Sequence, residues 1–282
     1  PPHRHFPENS YLPIRAIQRK ISCAVNDILA WQAAAVGAYC SRVVLVNLFD
    51  YQPNKHINLI SYQLNNLRDG SMIVLIGSQK GGVGKSTKAV NIAGYLILKQ
   101  GKTAIIVDAD DQKSIMTWYN DRQNVEGLPH IPVVAASGKI KETLLELDRH
   151  YDYVIVDTAG RDSAELRSGL LAADLFLSPL RPSQMDLDTI GYLSEMFSTA
   201  QEYNEKVKGY IVLNMCPTNI FINEANEAAQ VLSEYPEFTL VSHRLCDRKI
   251  YRDAWGEAIT VHEANNEKAQ SEIECLVKEV IL

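Results

Sequence analysis

No two cysteines in this chain stand close enough in sequence to form a CxxC or CxC unit. The five present, Cys23, Cys40, Cys216, Cys246 and Cys275, are odd in number and widely spaced. That pattern excludes a small disulfide-stapled scaffold and a zinc ribbon, and reads as reduced cytosolic thiols. A long uninterrupted apolar run is also missing. The most apolar stretch near the start, residues 28–48, is broken by Gln32, Arg42 and Asn47, so no membrane association is expected. No signal-peptide pattern is evident. An excess of positive charge is lacking too: 28 Lys and Arg face 34 Asp and Glu, a formal net charge of -6. This argues against a general polyanion-coating role, so any nucleic-acid contact should be a local basic patch. Internal repeats and low-complexity segments are absent.

What the chain does have is enough apolar material for a sizeable core, 46% over 282 residues, which suits one large domain or a domain with an appendage. Residues 1–71 carry 7 Lys and Arg against 4 Asp and Glu, net +3, and the remainder carries 21 against 30, net -9. In the first part, four early prolines suggest an irregular lead-in, with a helix expected over 17–39, a strand over 43–49 and a helix over 59–67. No helix-turn-helix pattern emerges there. The chain starts on proline, whereas Met72 opens the next apolar run, so we expect 1–71 to be an upstream extension and 72–282 to be the native domain. Peptides from before Met72, detected by mass measurement on the protein from its natural host, would exclude this.

From Met72 onward short β-branched runs alternate with helical segments, which points to an α/β fold with a doubly wound, mostly parallel sheet. The spacing predicts strands over 72–77, 103–108, 131–135, 153–157, 175–179 and 209–214. It predicts helices over 85–100, 114–122, 139–150, 164–173, 186–204 and 223–235. Ligands in such a sheet sit at the carboxyl ends of the strands.

At the end of the first strand stands Lys80-Gly81-Gly82-Val83-Gly84-Lys85-Ser86-Thr87. Strand, glycine loop and helix start form a nest of backbone N–H groups aimed at phosphate, with the helix dipole behind it. Lys85 has the reach for the β- and γ-phosphates, and the Ser86 hydroxyl suits Mg²⁺. The ordinary phosphate-loop pattern has a glycine five residues before Gly84, where this chain has Gln79, and places no lysine at position 80. Lys80 is therefore a cation beyond what the loop's own phosphates need.

The run 104–107 leads straight into Asp108, Asp110 and Asp111. Carboxylates at the end of a buried strand need a counter-charge, and Mg²⁺ with a nucleophilic water supplies one in a phosphate-binding fold. A solvated turn is the plainer alternative. The run 153–156 ends on Asp157, which has the form of a Walker B strand, and Gly160 follows as either a phosphate-approach or a turn glycine. Ser183 is a plausible N-cap for the next helix, after the proline-stiffened segment 178–182.

The string 78–87 resembles the deviant Walker A loop of the ParA/MinD superfamily, P-loop NTPases of the SIMIBI type. By that resemblance Lys80 crosses a dimer interface to the partner's nucleotide, Asp110 orients the attacking water, and Asp108 joins the loop lysines or the metal shell. Asp111 stands where the family usually has proline. Asn214, at the end of its strand, becomes a candidate for adenine recognition, with a turn-capping role equally open. The proline-serine segment and the ending from Arg248 to Glu274 look most like small ParF-like plasmid partition ATPases. Such proteins lack the N-terminal DNA-binding domain of larger partition ATPases.

The implied cofactors are ATP and Mg²⁺. The implied partners are a second copy when ATP is bound, non-specific DNA, and a centromere-binding protein like ParB or ParG. The implied location is the cytoplasm, on the nucleoid. Arg244, Arg248, Lys249 and Arg252, with Tyr251 and Trp255 interleaved, are the local basic cluster that DNA contact would use. Arg248 and Arg252 are expected at i, i+4 on one helical face, and an ordinary solvated face is the alternative. Residues 271–282 place Ile273, Leu276, Val277, Val280 and Ile281 on one side without an aromatic, which favours a core-packed helix over a membrane anchor. Two other functions stay open: a positioning ATPase for a non-DNA cargo, and a metal or cluster carrier, which would need the missing cysteine pair.

Overall fold

The structure is a computed structural model that describes residues 70–219 and 222–282. The helices and strand expected within 1–71 lie outside the described residues. Seven strands form one sheet in the order β3-β2-β4-β1-β5-β6-β7, every pairing parallel. They are β1 (Met72–Ile76), β2 (Ala104–Ala109), β3 (Val133–Ala135), β4 (Tyr153–Thr158), β5 (Leu175–Leu180), β6 (Lys208–Leu213) and β7 (Phe238–Leu240). β1 lies at the centre, between β4 and β5. Its residues alternate between two cores, as a parallel strand buried on both faces must: Val74 and Ile76 face one layer, Ile73 and Leu75 the other.

Helices α1 (Lys85–Leu98), α2 (Ser114–Gln123), α8 (Lys249–Gly256) and α9 (Glu267–Val280) cover the first layer. The opposite layer is covered by α3 (Lys141–Asp148), α4 (Ala164–Leu170), α6 (Ile190–Gln201) and α7 (Glu224–Leu232), with α5 (Gln184–Leu187) a single turn before α6. α9 buries Ala269, Ile273, Leu276, Val277 and Val280, spaced as one helical stripe, so the last segment is a core helix as expected. Among the described residues no helix is long and apolar enough to cross a membrane.

Several helices end two or three residues short of the sequence expectation, and three further differences have a visible cause. β3 begins at Val133 rather than 131, because Pro132 has no N–H to give the ladder although its carbonyl accepts from Ile106 N at 2.9 Å. The helix expected over 186–204 is two helices, α5 and α6, separated where Thr189 Oγ1 donates to Asp186 O at 2.7 Å. The edge strand β7 was not anticipated. Its Phe238 packs at a tilt against Phe197, with ring centroids 4.9 Å apart, and extends an aromatic group that includes Phe176.

Because all strands run the same way, the loops after β1, β2, β4, β5 and β6 open on one edge of the sheet. The chemically loaded residues converge there.

Candidate nucleotide site

The loop between β1 and α1 has Gly82 at φ 72° and Gly84 at φ 90°, left-handed conformations that glycine adopts without strain. Lys85, the first residue of α1, is 6% exposed and folds its Nζ back to Ser78 Oγ (3.1 Å) and Lys80 O (3.2 Å). Burial lowers its pKa, opposed by the charges of Asp157 and Asp110. Lys80 is half-buried and makes no ion pair among the described residues. The loop after β4 presses against the same backbone. A Cβ at Gly160 would stand 2.6 Å from Gly81 Cα, Gly81 N and Lys80 O. Glycine at position 160 is therefore required by close approach to the loop itself, rather than by a turn.

Asp108 and Asp157 are register partners on β2 and β4, both fully buried. Their surroundings separate them. Asp108 accepts from Met116 N (2.9 Å) and Asp110 N (3.3 Å), so both its oxygens hold the start of α2 and the turn carrying Asp110. Burial nevertheless pushes its pKa up. Asp157 accepts from Ser86 Oγ at 2.6 Å through Oδ2, while Oδ1 is buried with no partner. Burial pushes Asp157 up to about 7, with the charges of Asp108 and Asp110 adding to the effect. Asp110 is half-buried, and its carboxylate accepts from Gln112 N at 3.0 Å. Lys113, at the left-handed residue before α2, donates to Asp108 O and Ala136 O and steadies this turn.

Beside them lies a cavity of about 550 Å³ lined by Gly82, Lys85, Ser86, Asp110 and Gly160 among others. Asp111, where the resemblance leads one to expect proline, pairs with Arg161 at 2.8 Å across its mouth; both are exposed. A second cavity of about 300 Å³ adjoins it, sharing Gly84, Thr87, Met215 and Trp255. Asn214 and Lys88 line it. Asn214 is 1% exposed, donates Nδ2 to Val83 O at 2.6 Å, and leaves Oδ1 buried and unpaired. Lys88 is equally buried, with Nζ 4.0 Å from the Tyr251 ring centroid, and burial lowers its pKa to about 8.

The residues present fit a magnesium-bound nucleotide. A buried, unpartnered carboxylate oxygen on Asp157 beside the Ser86 hydroxyl is the donor set for a hard cation. The glycine nest with Lys85 fits phosphate, and the adjoining cavity with an orphan amide oxygen fits a base. Gly81, Gly82, Gly84, Lys85, Ser86, Thr87 and Asp110 line the first cavity and Asn214 the second, while Asp157 reaches the first through its hydrogen bond to Ser86 and Val83 is held by Asn214. Asp108 lies behind it, committed to backbone donors.

The basic cluster is arranged differently from the expectation. Arg248 is extended, at φ -114° and ψ 132°, and precedes α8 instead of sharing a helical face with Arg252. It turns inward to Glu272 on α9 (2.7 Å), which also accepts from Tyr251 at 3.0 Å. Lys249 pairs with Asp253 and Arg252 with Asp247, while Arg244 donates to Asn226. Three of the four cations are thus on carboxylates. Sequence reasoning missed Arg181, Arg161 and Lys88. Only Lys88 left a local sign, a lysine at a position where the helix needs an inward side chain.

A seven-stranded parallel sheet with this loop defines a P-loop nucleotide-binding protein of the deviant Walker A kind. The family model described as ATPase MipZ matches residues 72–208. Maintenance of carboxysome distribution protein A of Halothiobacillus neapolitanus is 29% identical over 210 residues, 73% of this chain and 94% of that protein. Protein ParA of Rhizobium radiobacter is 32% identical over 145 residues, 51% of this chain and 64% of that protein. The solved structure of apo McdA from Cyanothece shares the fold, with a TM-score of 0.61 at 16% identity over 74% of this chain and 99% of that one. Over residues 72–208 and beyond, the chain is similar to ATPases of the ParA/MinD superfamily.

Proposed function

We propose that this chain is a dimerising, Mg²⁺-dependent partition ATPase of the small ParF-like kind, which segregates DNA by nucleotide-gated, non-specific DNA binding. The observation that supports this most is Lys80: a half-buried lysine with no carboxylate partner among the described residues, at the start of a phosphate loop that already has Lys85. Such a cation has a role if it reaches the γ-phosphate in a second subunit. In this reading Gly82, Gly84, Lys85 and Ser86 hold the triphosphate. Ser86 and Asp157 hold Mg²⁺, which supplies charge neutralisation of the phosphates. Asp108 fixes the turn from which Asp110 orients the attacking water, and lysines stabilise the developing charge. Asn214 Oδ1 suits the exocyclic amino group of adenine. A centromere-binding partner of the ParB or ParG kind accelerates the slow basal reaction and releases the dimer from the nucleoid.

A second reading, a positioning ATPase for a non-DNA cargo, is favoured by two observations. The carboxysome-distribution relative matches over nearly its whole length, and the cations nominated for DNA are mostly occupied. Retention of the full chain on non-specific DNA, with ATP, ADP or no nucleotide in an Asp110→Ala background, separates the two. ATP-dependent retention that falls steeply with salt supports DNA segregation. ATP-dependent dimers without DNA retention move the function to the non-DNA cargo.

A further inference from the structure

The phosphate loop is held by its carbonyl groups. Ser78 Oγ and Lys85 Nζ converge on Lys80 O (2.8 and 3.2 Å). Arg181, from the loop after β5, donates to Gly82 O, and Asn214, at the end of β6, donates Nδ2 to Val83 O. Every described peptide bond is trans. A trans peptide points its carbonyl and its N–H in opposite directions. Fixing the carbonyls of Gly82 and Val83 on these two side chains therefore fixes the direction of the Val83 and Gly84 N–H groups, the donors that an anion bound in the loop needs. The glycines at φ 72° and 90° leave this loop many alternative shapes, so it requires such restraint. Gly84 is also what lets Asn214 come so close, since a Cβ there would lie 2.7 Å from Asn214 Nδ2.

We propose that Asn214 and Arg181 are positioning residues that preorganise the phosphate loop, Asn214 through Val83 and Arg181 through Gly82. Their contribution is to polyphosphate affinity, separately from any choice of base. The proposal rests on the nucleotide reading above. It assigns Asn214 a purpose for its amide nitrogen that the adenine role, which uses the oxygen, leaves unexplained. Preorganisation raises affinity by removing an ordering cost from the binding step, so its loss affects every ligand that needs the ordered loop.

The test compares inorganic tripolyphosphate, which has no base, with ATP, by titration into the full-length protein and its Asn214→Leu and Arg181→Met variants. Loss of a buried hydrogen bond predicts about a tenfold drop in tripolyphosphate affinity for Asn214→Leu, with ATP losing at least as much because the adenine contact goes too, and the exposed contact predicts about threefold for both ligands in Arg181→Met. An unchanged tripolyphosphate affinity in Asn214→Leu, with ATP weakened, would overturn the proposal and leave Asn214 as a base contact only. Unchanged binding of both ligands overturns it as well. Thermal unfolding without ligand checks that each variant is folded, and if Asn214→Leu is not, Arg181→Met decides alone. Failure of the wild-type chain to bind either ligand would instead contradict the nucleotide reading.

Discussion

Asp157 carries a charge problem that a bound cation solves. In the free protein burial holds its pKa near 7, far above the ordinary carboxylate value of 3.8. A folded-state pKa raised in this way gives stability that is fully present below the unfolded value and lost as pH rises through the folded one. The free protein therefore carries an unfavourable buried charge above neutrality, and a cation binding there must displace a proton below it. Mg²⁺-dependent ADP affinity should rise between about pH 6 and about pH 8 by this linkage. Asp157→Asn should abolish that rise and make the unliganded protein more stable than wild type at about pH 8, both readable by calorimetry. A pH-independent Mg²⁺ affinity in wild type would contradict the assignment. Gly160 offers a steric counterpart: Gly160→Ala should drive its Cβ into Lys80 and Gly81 and weaken ADP binding roughly tenfold or more while circular dichroism stays native. The loop and its aspartates were legible in the sequence because strand, glycine run and terminal carboxylate are local patterns. Arg181 and Lys88 were not. Their partners, Gly82 and Tyr251, lie 99 and 163 positions away, and only the strand order brings them together.

At the scale of elements, α8 and α9 form a single unit through Glu272, which gathers Arg248 and Tyr251 at 12% side-chain exposure. Removing Arg248 leaves that carboxylate partly buried without its cation. Arg248→Met should cost about 1–3 kcal/mol in denaturant unfolding, discounted because Arg248 itself is 23% exposed. Arg252→Ala removes an exposed pair with Asp247 and should change stability by less than about 0.5 kcal/mol. Equal costs would contradict this division of the basic cluster into a structural and a surface half. The sequence spacing suggested one helical face because both arginines fall in an i, i+4 frame. It had no means of placing the helix start after Arg248, since no side-chain cap marks it. The same limit hid β7, three residues recruited by Phe197 and Phe176 rather than by their own pattern. The longer strands were readable to within one or two residues because they are buried on both faces and unbroken.

For the whole molecule, an all-parallel sheet gathers the loops at one edge, so one open cavity carries the phosphate loop that follows Lys80 and the Asp110 turn. A second copy facing that edge would complete two sites at once, the self-complementary arrangement of a twofold dimer. The sequence pointed to this through a lysine that its own loop did not need, a feature visible only against the ordinary phosphate-loop pattern. The most direct measurement is ATP hydrolysis by an equimolar mixture of Lys80→Ala and Asp110→Ala subunits. Each variant alone should be inactive, whereas the mixture should recover about one quarter of wild-type activity, because half the dimers are mixed and each has one intact site. A mixture as inactive as its components would contradict action of Lys80 across the interface.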